Sequence, residues 1–497
     1  MKEKEGLVRL GVMAVLVVCF IMTACGTQEV AKEVQPVLQD KIPITTASDE
    51  ALQLYLKGRD LNEKLRATDA RQFFKQAVEK DPGFALAHLA LATTAPTNAD
   101  FFDSLGKAVG TAELVSEAER HWILGFDAAV RSEPETQRKH YTSLIEAYPN
   151  DERAHILMAG FHFGRQEYTL AVEHYEKVRA INPEFSQPYN QLGYAYRFLE
   201  QYDKAEKVFR KYTELIPDEP NPYDSYAELL MKVGKFDDSI EIYRKALALN
   251  PEFMASHIGI GSNQTFMGEY EKASDTFKIM YDLARNKGEK RQALFWSAVS
   301  LVHEGRHDDA VEKIQAMVDI AKDGDDFATM AGDLVTIGDI LLDKGTPVKA
   351  LDMYVESLAL AEKADTPEEV KETARRNHLY NEARAALAGK DLKKARDKTA
   401  AYGEAVNAFK IPFELRRYHE LSGRIALLGK DYDQAIADLG QAGQQDPVVL
   451  FLKAQAHQGK GEKDQARELF EKAANFNGLN INYAYVRKEA GKLLEKI

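Results

Sequence analysis

The sequence predicts an all-α solenoid, a row of helix-turn-helix units stacked side by side. Pro149, Pro183, Pro217 and Pro251 stand 34 residues apart, and each closes a block with small and aromatic residues at equal offsets. Within a block the apolar positions follow a helical period in two runs, the pattern of two amphipathic helices folded back on one another. At 497 residues a length prior alone suggests about three domains. A solenoid instead grows by adding units to one continuous core, so no separate domain is expected.

The first 24 residues are of another kind. Lys2, Lys4 and Arg9, diluted by Glu3 and Glu5, precede an apolar run from Leu10 to Ile21. The run is short for a membrane span, which needs about 20 residues, and has the length of an export-signal core. Its end, Met22-Thr23-Ala24-Cys25, resembles the bacterial lipoprotein box, with Met22 where leucine is usual. That resemblance implies loss of residues 1–24 and a diacylglycerol on Cys25. The mature chain would be exported and anchored to a bacterial membrane, on the outer membrane or periplasmic side in a Gram-negative host. Gly26 stands in place of the aspartate that retains some lipoproteins at the inner membrane. Cys19 and Cys25 are the two cysteines, so the folded part has no thiol and can form neither disulfides nor thiolate metal sites. Residues 25–47, with Pro36 and Pro43, read as a flexible tether.

Residues 48–290 carry units of mostly 34 residues. The unit from Ala51 has Leu54, Gly58, Ala70, Phe74, Ala77 and Pro82. A degenerate unit follows from Ala85, and the unit from Ala118 has His121, Leu124, Gly125, Tyr141 and Pro149. The next has His155, Met158, Ala159, Tyr168, Ala171, Tyr175 and Pro183. The clearest begins at Ser186, with Tyr189, Leu192, Gly193, Tyr196, Ala205, Phe209 and Pro217 at positions 4, 7, 8, 11, 20, 24 and 32. It is followed by Tyr223, Tyr226, Ala227, Leu230, Gly234, Phe236, Tyr243, Ala246 and Pro251, then by Gly261, Gly268, Tyr270, Ala273 and Phe277. Positions 4, 7, 8 and 11 share one helical face, and 20, 24 and 27 share another. Small residues at 8 and 20 let the two helices approach, and large ones at 11 and 24 fill the gaps beside them. The proline ends the second helix and is tolerated in the first turn of the next.

In residues 291–480 the units lengthen. The position-20 alanine recurs at Ala310, Ala350, Ala395 and Ala435, at steps of 40, 45 and 40 residues, as helices about one turn longer would give. The unit from Arg416 regains Gly423, Tyr432, Ala435 and Pro447, and the last has Ala454, Gly461, Ala466, Phe470 and Ala473. Residues 481–497, with Ala484, Val486, Ala490, Leu493 and Leu494, read as an amphipathic helix capping the last unit.

These offsets resemble the tetratricopeptide repeat family, over roughly residues 48–497 and about eleven units. The resemblance implies a right-handed superhelix whose first helices line a concave side, with positions 2, 5, 9 and 12 facing into it. Carried over residue by residue, these are Gln187, Asn190, Tyr194 and Arg197, then Asn221, Asp224, Glu228 and Met231, then Gln292, Phe295, Val299 and Val302. Amides, charges and aromatics in a groove suit an extended peptide, and Asn190, Tyr194, Asn221 and Asp224 form the densest such group. The lysine and asparagine with which some family members clamp a chain terminus are missing from positions 5 and 9. The expected function is therefore a membrane-anchored scaffold for protein or peptide partners at a bacterial cell envelope, without enzymatic activity.

Other classes fit less well. The net charge of −13 moves to −14 once residues 1–24 are gone, which disfavours nucleic acid, since its attraction needs basic patches. His303-Glu304-Gly305-Arg306-His307 matches the zinc-protease pattern, which needs both histidines on one continuous helix. Gly305 falls at position 15, the turn between paired helices, so neither a zinc hydrolase nor any cofactor is expected. Gly259 and Gly261 are only a fragment of a nucleotide-binding glycine motif. Glycan binding is the alternative, known in starch-utilisation lipoproteins built on such repeats, but Trp122 and Trp296 are the only tryptophans and both map to first helices.

Overall fold

A computed structural model describes residues 40–95, 98–131, 133–409 and 411–496. The signal segment, Cys25 and the tether up to residue 39 lie outside them. The described chain is an all-α solenoid of antiparallel helix pairs. Its described residues divide into two compact units, one of residues 40–60 with those in 67–147 and one of residues 61–66 with those in 148–496. Among the described residues no helix is long and apolar enough to cross a membrane.

The helices run α1 (Asp49–Glu63), α2 (Ala67–Lys80), α3 (Ala85–Thr93), α4 (Asn98–Gly110), α5 (Glu117–Val130) and α6 (Pro134–Ala147). Next come α7 (Glu152–Gly164), α8 (Tyr168–Ile181), α9 (Gln187–Phe198), α10 (Tyr202–Leu215), α11 (Pro220–Lys232), α12 (Phe236–Leu249), α13 (Met254–Phe266) and α14 (Tyr270–Leu283). The longer pairs are α15 (Lys287–Glu304) with α16 (His307–Lys322), α17 (Phe327–Asp343) with α18 (Pro347–Lys363), and α19 (Glu368–Ala388) with α20 (Leu392–Phe409). The array finishes with α21 (Pro412–Leu428), α22 (Tyr432–Leu439), α23 (Pro447–Lys460), α24 (Lys463–Ala474) and α25 (Ala484–Leu494).

Three devices recur at fixed positions. Position 24 puts Phe74, Tyr141, Tyr175, Phe209, Tyr243, Phe277, Tyr354 and Phe470 into the core, and the residue 16 earlier is small because the ring lies against its backbone. A Cβ built on Gly193 would stand 2.5 Å from Phe209 Cε1, closer than side chains approach. Position 4 ties each unit to the preceding proline: His88, His155 and His257 donate through Nε2 to the carbonyls of Pro82, Pro149 and Pro251 at 2.8, 3.0 and 2.9 Å. Tyr189 and Tyr223 donate their hydroxyls to Pro183 and Pro217 at 2.8 and 3.0 Å. Position 15 turns the chain between paired helices in the left-handed region, with Gly234, Gly268, Gly305, Gly345 and Gly461 at φ of 76 to 95°. Gln166, Glu200, Lys390 and Lys430 adopt the same conformation at φ of 58 to 63°, which costs a residue with a Cβ about 1 kcal/mol or more.

Residues 42–47 differ from the expected tether. Ile42 and Ile44 are buried, as are Thr45 and Thr46. Thr45 donates its N–H and hydroxyl to the two oxygens of Glu119 at 2.8 and 2.5 Å. The Thr46 hydroxyl and Ala47 N–H donate to Asp81 Oδ2 at 2.5 and 2.8 Å. Glu119 is fully buried and also completes a capping box with Ser116 at the start of α5. Burial raises its pKa, and the hydrogen bonds from Thr45 and Ser116 pull it back. The polar composition of the tether masks these residues, because its last stretch is apolar and β-branched and finds buried acids to bond.

Candidate functional site

Every group at issue here lies in residues 148–497. The predicted cluster on α9 and α11 does come together, but its polar groups are engaged with one another and with neighbouring helices. The buried Asn190 accepts at Oδ1 from Ser225 Oγ (3.0 Å), and the buried Asp224 accepts from Ser256 Oγ (2.8 Å). Tyr194 donates to Glu228 Oε2 (2.7 Å), Arg197 donates to Glu228 Oε1 (2.5 Å), and the Arg197 guanidinium lies 5.0 Å from the Tyr194 ring centroid. Asn221 accepts from the Tyr212 hydroxyl (3.2 Å). Gln187 is half-buried and Gln292 exposed. Each unit is thus linked to the next by polar contacts 31 to 35 residues apart in sequence. Burial pushes the Asp224 carboxyl up to about 7, with Ser256 opposing. The Tyr194 hydroxyl is likewise raised, by burial and then by Glu228. These residues hold the stack together, a role the offsets alone did not reveal.

On the following units the same face is covered by the chain's own C-terminal segment. Asn477 donates to the Lys232 carbonyl (3.1 Å), and the Lys232 ammonium lies 3.8 Å from the Phe476 ring centroid. Arg487 stands over the Phe266 ring at 4.8 Å, and His303 Nε2 donates to the Asn480 carbonyl (3.3 Å). Ile481 and Ala484 join Val299, Val302, Leu334 and Ile337 in one apolar cluster, with Phe295 packed at its edge. Asn482 donates to Asp339 Oδ2 (3.3 Å) and accepts from Arg384 (3.1 Å). α25 also closes the last pair, with Val486 and Ala490 in the cluster of Phe451 and Phe470.

Beyond this segment the face opens into a cavity of about 810 Å³. Its walls are Val335, Asp339 and Leu342 of α17, Asn377, Tyr380, Arg384 and Leu387 of α19, and Arg417, Glu420, Arg424 and Leu427 of α21. Val448 and Val449 of α23 and Asn482, Tyr483 and Tyr485 of the C-terminal segment complete it. Counted from the alanines at 350, 395 and 435, the α17 group occupies positions 5, 9 and 12, and the other two groups 2, 5, 9 and 12. The signal was therefore in the sequence, and extending the same offsets into the longer units would have named these residues.

The charges in the cavity are specifically disposed. Arg384 donates to Asp339 Oδ1 (2.7 Å), and Arg424 to Glu420 Oε1 (2.9 Å). Asp446 caps α23 through the Val448 N–H (2.8 Å), and Asp343 Oδ2 accepts from His307 Nε2 (2.6 Å). Burial raises the Asp343 carboxyl, with the His307 hydrogen bond opposing. Arg417 donates to Asn377 Oδ1 (3.0 Å), its guanidinium lying 4.5 Å from the Phe413 and 4.6 Å from the Tyr380 ring centroid.

The histidine pair lies across a helix break. α15 ends at Glu304, Gly305 turns at φ 95°, and α16 starts at His307. His303 faces Asn480 while His307 faces Asp343, so the two rings do not share one helical face. Among the described residues no group of three or more His, Cys, Asp or Glu is placed to hold a metal ion.

Family models of the tetratricopeptide repeat match residues 186–219, 221–253 and 447–477, and a second model of the same repeat matches residues 266–325. No curated protein matches the chain. Similar solved structures include residues 41 to the end of MamA from Desulfovibrio magneticus, at 20% identity and TM-score 0.31, covering 33% of this chain and 94% of that one. A tetratricopeptide repeat protein from Parabacteroides merdae is 15% identical, with TM-score 0.34 and coverage of 55% and 94%. YrrB, described as a TPR protein with an unusual peptide-binding site, is 18% identical, with TM-score 0.28 and coverage of 37% and 93%.

Proposed function

We propose that this chain, a protein built of tetratricopeptide repeats, is a lipid-anchored scaffold that holds an extended segment of a protein partner at a bacterial cell envelope. The anchoring half of the reading rests on the Met22-to-Cys25 sequence and the binding half on the cavity. One observation carries the binding half. The face bearing positions 2, 5, 9 and 12 is closed by internal hydrogen bonds on α9 and α11 and by the C-terminal segment on α15, yet opens into about 810 Å³ along α17, α19 and α21. Its walls combine apolar side chains with charged and amide groups fixed by hydrogen bonds, and fixed polar groups are what orient a ligand in a concavity. The cluster around Asn190 and Tyr194 serves the stack, and the binding stretch lies further along the array.

Site-specific photo-crosslinking tests the placement. A photoreactive residue at Gln455 or Leu428, both on the cavity wall, should capture a protein in envelope membranes, whereas one at the exposed Gln292 should not. Equal capture at all three positions would remove the case for the cavity. Anchoring has its own readout. Cys25→Ala should leave a heavier precursor without lipid label, and normal processing of that variant would end the lipoprotein reading.

A further inference from the structure

The pairing of charges in the cavity specifies the chemistry of what enters it. The lining carries four arginines and four acids, and two of the arginines have no carboxylate partner among the described residues. Asp339 and Glu420 are each paired with an arginine, Asp446 is held at the N-terminus of α23, and Asp343 is held by His307. Arg416 and Arg417 also line the cavity, and neither has a carboxylate partner among the described residues. Arg417 is moreover fixed in place by Asn377 and by its two flanking rings. A guanidinium preorganised in this way loses little entropy on binding a carboxylate and presents paired donors to it.

We propose that the cavity receives an acidic stretch of a partner chain, with a side-chain carboxylate held by Arg416 and Arg417. This rests on the reading that this face holds a partner segment. The wall contributed by Asn482, Tyr483 and Tyr485 makes the site composite, so it exists only while the C-terminal segment is seated against Asp339 and Arg384. The chain as a whole is strongly acidic, but at 0.15 M salt charges beyond about 8 Å are largely screened, and the four acids of the lining are already engaged by Arg384, Arg424, His307 and the Val448 N–H.

Calorimetric titration of the full chain tests this with three probes. One is a ten-residue peptide of alternating Glu and Ala, acetylated and amidated so that its side chains are its only anions. The others are its Gln counterpart and free glutarate. The Glu peptide should bind at least tenfold more tightly than the Gln peptide. Arg416→Gln combined with Arg417→Gln should abolish that preference, and Arg416→Gln alone should reduce it with helical content unchanged. Asn482→Ala should weaken the Glu peptide by unseating one wall. Equal binding of the Glu and Gln peptides would overturn the acidic assignment and leave the groove reading standing. Binding of neither would count against both. Glutarate binding as tightly as the Glu peptide would overturn the partner chain in favour of a small acid.

Discussion

Asp224→Asn separates a packing role from a groove role, because the two make opposite demands on the carboxyl group. In the folded chain Asp224 is buried and its carboxyl is pushed up to about 7, against an ordinary value of 3.8. Between those values the folded state keeps a proton that the unfolded state has released. Stability therefore falls as pH rises from about 4 to about 7, and the full penalty is present above 7. A gap of about 3 units at 1.36 kcal/mol each sets a ceiling near 4 kcal/mol, and relaxation around a buried charge brings the expected figure to roughly 2–4 kcal/mol. Asparagine keeps the oxygen that accepts from Ser256 Oγ and removes the charge. Denaturant melts followed by circular dichroism at pH 4, 5.5, 7 and 8 should show Asp224→Asn gaining on the parent chain as pH rises, by about 2 kcal/mol or more at pH 8. Repeat arrays can unfold in stages, so hydrogen exchange over residues 220–266 provides the local reading. A difference independent of pH, or a variant less stable at pH 8, would mean that Asp224 is solvated and ionised as an open groove residue would be, and the packing argument would fail.

Gly193→Ala should cost about 1 kcal/mol and Gly193→Leu about 3 kcal/mol or more, since even a Cβ meets the fully buried Phe209 ring. The alanine should be the milder because Ala159 and Ala227 already face Tyr175 and Tyr243 across the same 16-residue offset; equal melting of both variants would refute the close-approach argument. Glu200→Gly and Lys430→Gly should each stabilise by roughly 0.5–1 kcal/mol, because both residues hold a positive φ near 60° at the position where five other turns use glycine. A fall in melting temperature in both variants would count against strain at position 15.

Much of the molecule is encoded locally. Helix pairing, the turn at position 15 and the small residue facing an aromatic 16 residues on all follow from spacings shorter than one unit, where side chains share a helical face whatever the rest of the chain does. The same locality broke the His303 to His307 motif, because Gly305 turns wherever position 15 falls. The last residues of the tether were misread for the complementary reason. Ile42, Ile44 and Thr45 look like linker but are buried, and the Glu119 carboxylate that holds Thr45 is 74 residues away in sequence.

Which residues of the inner-facing set stay accessible could be decided only by tertiary structure. Extended into the longer units, the set of offsets that nominated Asn190 and Asp224 names Asn377 and Arg417 as well, and by sequence the two groups are equivalent. They diverge through contacts that no periodicity carries. Ser225 and Ser256 meet the first pair from the next unit, and a segment 143 to 245 residues distant lies across Asp339 and Lys232. The meeting of such distant segments depends on small rotations between neighbouring units that add up along the array. Sequence by itself therefore determines which face of each helix looks inward, while the accumulated curvature determines what that face meets.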